Sequence, residues 1–130
     1  MPPDTKEIIT RLYTFLSKLP LEPYLSSENF AVFCRVHGLA DTWKEHLESS
    51  RDRPDLYGKD ITGNAFILFF HHLFQTRPSE FLVLLTGFLR DFVQWSAQPV
   101  PVDPLKKACI RLGYADKTVE DEFLKIRDRE

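Results

Sequence analysis

Residues 65–93 read AFILFFHHLFQTRPSEFLVLLTGFLRDFV, and this stretch decides the fold. In its first part Phe66, Ile67, Leu68, Phe69, Phe70, Leu73 and Phe74 leave almost no polar face. A helix that is apolar all round belongs in the middle of a domain. In its second part Leu82, Leu85, Phe88, Leu89, Phe92 and Val93 recur at helical spacing and form one broad stripe. Arg77-Pro78 separates the two parts. Proline cannot continue a helix but suits the first position of the next one. The expectation is a Phe-rich central hairpin. Its first helix runs from near Asp60 or Thr62 to about Thr76, and its second from around Pro78 to about Ala97.

The same stretch is too short and too interrupted for a membrane. Each apolar run, 65–74 and 81–93, falls short of the ~20 residues that a spanning helix needs. His71-His72 breaks the first run, and Arg77 and Glu80 lie between the two. A soluble core hairpin is the better reading.

Upstream, Asp4-Thr5-Lys6-Glu7 resembles a capping box, and Ile8, Leu12, Phe15, Leu16 and Leu19 then form a stripe that Pro20 and Pro23 end. A second helix starts at Ser26 or Ser27 and groups Phe30, Phe33, Cys34 and His37 on one face, with Gly38 as its stop. A third starts near Asp41, places Leu39, Trp43, His46 and Leu47 together, and fades into the polar run 48–59. Downstream of the hairpin, residues 98–102 form a short extended linker. Asp103-Pro104 reads as cap and first position of a helix carrying Leu105, Ala108, Cys109 and Leu112, which Gly113 ends. The last helix starts at Asp116 or Thr118 and spaces Val119, Phe123 and Ile126 at i, i+4, i+7. No segment alternates as a strand does, and no internal repeat stands out. The fold class is therefore all-α: one domain over 1–130, a compact array of six to seven short helices around the hairpin.

Composition narrows the functional classes. Apolar residues make up 43% of 130, with 11 Phe, which is enough for a core without disulfide or metal support. Net charge is −2, and Lys and Arg alternate with Asp and Glu. That balance makes nucleic acid an unlikely partner. The densest cations are Lys106, Lys107 and Arg111, with Lys117 following, and a nucleic-acid contact would have to use them. The N-terminal residues lack a basic stretch followed by an apolar one, so a cytoplasmic protein is expected. Cys34 and Cys109 read as buried, reduced thiols.

The His and Cys residues are the only candidates for metal or acid–base chemistry. His71 and His72 are adjacent, so on a helix they point about 100° apart and cannot jointly hold one metal. The i+4 partner of His71 is Gln75, and the i−4 partner of His72 is Leu68. Cys34 and His37 share a face at i, i+3, and His46 on the next helix can fold back toward them. His71, His72, Cys34 and His37 are thus the candidate metal residues, without a complete ligand set. No phosphate-binding loop, nucleophile elbow or cofactor motif is present.

The functional expectation is a non-enzymatic protein–protein interaction or self-association module, without a cofactor. Its partner is a protein or a second copy of the chain. Trp43, Tyr57 and Trp95 lie near helix ends or in the polar run, and such aromatics are favoured interface anchors. The alternatives are a small helical enzyme or metal-binding protein using the His and Cys residues, and a nucleic-acid-binding domain using the Lys106–Arg111 cations.

Overall fold

The computed structural model describes residues 5–52 and 61–127. Among these the chain folds into eight helices and no strand: α1 (Thr5–Leu16), α2 (Leu21–Leu25), α3 (Glu28–Val36), α4 (Ala40–Asp52), α5 (Ile61–Thr76), α6 (Pro78–Ser96), α7 (Val102–Arg111) and α8 (Asp116–Arg127). The all-α expectation holds, with one helix more than the seven expected at most. The extra element is α2, where Pro20 and Pro23 argue for a break. Pro20 is the N-cap of this five-residue helix, and Pro23 falls inside its first turn. The first N–H groups of any helix lack intrahelical acceptors, so proline costs nothing there.

The local signals otherwise act largely as their chemistry dictates. The Ser27 hydroxyl caps α3 by accepting from the Phe30 N–H at 3.3 Å. Pro78 occupies the first turn of α6, with Arg77 as N-cap. One start is displaced. α7 begins at Val102 with Pro101 as N-cap and no side-chain cap, so Asp103 and Pro104 sit inside the first turn. The proposed cap Asp4 lies outside the described residues. Glu7 pairs with Arg11 at 3.1 Å.

Two helices end in the same way. After α3, Gly38 adopts φ +69, its N–H donates to Arg35 O at 3.2 Å, and the Leu39 N–H donates to Cys34 O at 2.6 Å. After α7, Gly113 adopts φ +112, its N–H donates to Ile110 O at 3.0 Å, and the Tyr114 N–H donates to Cys109 O at 3.4 Å. Both are Schellman closures, in which a left-handed glycine lets the chain satisfy the last carbonyls of the helix.

The central hairpin closes through its aromatic rings. Phe70 of α5 meets Phe88 of α6 at 5.2 Å between centroids, mostly edge to face, and Phe74 meets Phe81 at 5.4 Å. The two helices are nonetheless not each other's largest partners. α5 packs most extensively on α4 and α1, and α6 on α8 and α3. All-round apolarity thus reflects neighbours on several sides. Tyr24 of α2 is fully buried, with its ring against Phe30, Phe88, Phe92 and Trp95. Its hydroxyl donates to the Asp91 carboxylate on α6. Burial and that neighbouring carboxylate both push the Tyr24 phenol well above its ordinary range. One continuous apolar cluster runs from Ile8 to Ile126. Among the described residues, no helix is long and apolar enough to cross a membrane.

Candidate functional site

The predicted His and Cys residues do not assemble as the spacing suggested. Cys34 faces the core from α3, while His37, the C-cap of that helix, is exposed and leans on Phe33 at 4.5 Å between rings. Burial pushes both the Cys34 and the Cys109 thiols up to about 12. Both are therefore protonated at neutral pH, and a protonated thiol is neither a nucleophile nor a ready metal ligand. The two cysteines are free and buried.

His71 and His72 are both half-buried on α5. His72 meets His46 of α4, with ring centroids 5.2 Å apart. The His46 Nδ1 lies 2.8 Å from the Thr42 carbonyl one turn back. The fold thus brings together a pair of histidines that the sequence reading had placed in different clusters. Among the described residues, no three His, Cys, Asp or Glu side chains converge in a way that could hold a metal.

Of the expected anchors, Trp43 and Trp95 are both half-buried and packed against the core. Trp43 stands edge-on to Phe30 at 5.1 Å and to Phe69 at 5.3 Å. It also walls an open cleft of about 790 Å³ with Leu47, Arg51 and Ile61. Trp95 lies 5.4 Å from the Tyr24 ring. Tyr57 lies outside the described residues.

Ile61 in the cleft beside Trp43 and Leu124 on α8 are exposed, and three valines are exposed on α3 and α6. Val36 is 73% exposed, Val83 53% and Val32 42%. Val32 and Val36 are i, i+4 on α3 and flank the half-buried Phe33 in a shallow cleft of about 340 Å³ that Asp91 closes on one side. An added Cβ at Gly87 of α6 would lie 3.6 Å from the Phe33 ring, so α3 meets α6 there. Val83 lies one turn before Gly87. The sequence did carry a signal for this face: α3 holds apolar residues on two sides, more than one buried stripe needs.

The candidate nucleic-acid cations are divided. Lys106 is held 2.9 Å from the Glu120 carboxylate of α8. Lys107 and Arg111 instead line a separate cleft of about 420 Å³ between α7 and α1, together with Arg11. Lys117 is exposed on α8. Comparison with protein-family models, with curated proteins and with solved structures finds no match, so function rests on the geometry alone.

Proposed function

We propose that the chain is a non-enzymatic protein–protein interaction module that self-associates through α3 and the adjoining part of α6. The observation that supports this reading is the pair of exposed valines, Val32 and Val36, on one face beside Phe33, with Val83 exposed on α6 one turn before Gly87. Single exposed apolar residues are ordinary on any protein surface. Two at i, i+4 around a half-buried phenylalanine form a stripe that another helix can cover. A second copy suits it, because two-fold symmetry sets Val32 of one copy against Val36 of the other, and the reverse. Three valines supply only part of the ~800 Å² per partner that a stable interface buries. The association is accordingly weak and concentration-dependent.

The alternatives find less support. A metal centre lacks a third ligand beside His46 and His72 among the described residues. A nucleic-acid face loses Lys106 to its ion pair with Glu120.

Light scattering across a concentration series tests the proposal. The expected result is a mass that rises toward a dimer, with the rise abolished in a Val36→Asp, Val83→Asp variant whose circular dichroism is unchanged. A chain that stays monomeric up to the highest soluble concentration would overturn the self-association reading.

A further inference from the structure

The cleft between α1 and α7 is built differently from the valine face. Ile8, Arg11 and Phe15 line it from α1, at i, i+3, i+7. Pro104, Lys107, Ala108 and Arg111 line it from α7, where Lys107 and Arg111 are i, i+4. Two matched stripes of this length make a groove two helical turns, or ~10 Å, long. Ile8 and Ala108 are buried at its base, and the half-buried Phe15 adds to the apolar floor.

The rim is cationic although the whole chain carries −2. Arg11 shares an exposed pair with Glu7 on its own helix. Among the described residues, Lys107 and Arg111 make no ion pair. This contrasts with Arg35, Lys106 and Lys125, which each hold a carboxylate at 2.9 Å. Among the described residues, Asp103 is the one carboxylate lining the cleft.

We infer that the α1–α7 cleft receives an acidic peptide segment of a partner protein, with one bulky apolar side chain on the Ile8–Phe15–Ala108 floor and carboxylates beside Arg11, Lys107 and Arg111. The apolar floor distinguishes this from a phosphate-backbone contact, which needs charge but no anchor pocket. The inference does not depend on self-association through α3.

Fluorescence anisotropy at low salt tests it with a fluorescein-labelled peptide of about a dozen residues carrying one Phe among glutamates. Replacing the peptide's Phe by Ala is expected to weaken binding about tenfold. The Lys107→Glu, Arg111→Glu variant weakens it by a similar factor, and added salt weakens it further. Asp103→Asn strengthens it severalfold. Both cations are at the surface, and circular dichroism of the variant confirms that the fold is kept. Three results would overturn the inference: no binding at low salt, binding indifferent to the charge reversal, or a single-stranded oligonucleotide binding as tightly as the peptide and losing affinity in the same variant.

Discussion

The corner from α3 to α4 reads Cys34-Arg35-Val36-His37-Gly38-Leu39-Ala40-Asp41, and the corner from α7 to α8 reads Cys109-Ile110-Arg111-Leu112-Gly113-Tyr114-Ala115-Asp116. Cys, Gly, Ala and Asp recur in the same places. Both corners bury the cysteine and put the glycine at positive φ. They differ in the residue after the glycine. Leu39 is 1% exposed and is simply part of the core. Tyr114 is half-buried, its ring against Phe74 and Phe81, and its hydroxyl donates to the Pro78 carbonyl at the start of α6. The second helix also starts one residue later, at Asp116 rather than at the position matching Ala40. The turn is thus a local device, while the side chain that follows it decides where the next helix docks. One corner is held by apolar burial and the other by a ring and a hydrogen bond to the central hairpin.

Alkaline pH is expected to have the largest effect, because it acts on both corners at once. Burial holds the Cys34 and Cys109 thiols up to about 12, against ~8.5 in an unfolded chain. The unfolded state therefore releases these protons first. The stabilisation is complete below about pH 8.5 and is lost progressively as pH rises toward 12. Tyr114, also raised to about 12 by burial and by nearby Cys109, adds to the loss in the upper part of that window. Urea unfolding at a series of pH values measures the fall. A Cys34→Ala, Cys109→Ala variant should show a shallower one between pH 8.5 and 10, and parallel curves would mean that the thiols do not carry it.

The next effect separates the two corners. Leu39→Ala should lower stability by about 2–5 kcal/mol, the usual range for truncating a buried leucine. Tyr114→Phe, which removes only a hydrogen bond near the surface, should cost about 0.5–1.5 kcal/mol. Equal losses in chemical denaturation would break the distinction drawn between the corners.

The smallest difference concerns the glycines themselves. Among the described residues, nothing beyond the adjoining chain lies within 4 Å of a Cβ added at Gly38 or Gly113. Alanine therefore meets no clash at either site, and its cost is the backbone cost of the left-handed region, ~1–2 kcal/mol. Gly113, at φ +112, is farther from the left-handed minimum that other residues tolerate than Gly38 at φ +69. Gly113→Ala should be the costlier of the two, and the reverse order in thermal unfolding would point to strain elsewhere in the second corner.

Much of this architecture was legible in the chain. The Phe-rich run 66–74 sits in the middle, Ser27 caps α3, Pro78 opens α6, and both glycines end their helices. Each of these depends on interactions within a few residues or on plain apolar area. α2 is not legible because proline signals a stop, although its first-turn position makes it harmless there. The candidate sites were far less legible. The meeting of His46 with His72, and of Arg11 with Lys107 and Arg111, depends on which helices lie side by side.

The sequence by itself determined that the chain is helical, where most helices begin and end, and which residues are apolar enough to be buried. Those properties follow from backbone conformation, capping and periodicity, which act over one or two turns. Only the tertiary structure decided which helices are neighbours. It placed Trp43 and Trp95 against the core, left Val32, Val36 and Val83 outside, tied Lys106 to Glu120, and opened a cationic cleft between α1 and α7. The physical reason is that burial favours apolar area without naming its partner. Packing the rings of Tyr24, Phe30, Phe66 and Phe70 around Phe88 sets the helix positions, and those positions determine which charges and which valines remain at the surface.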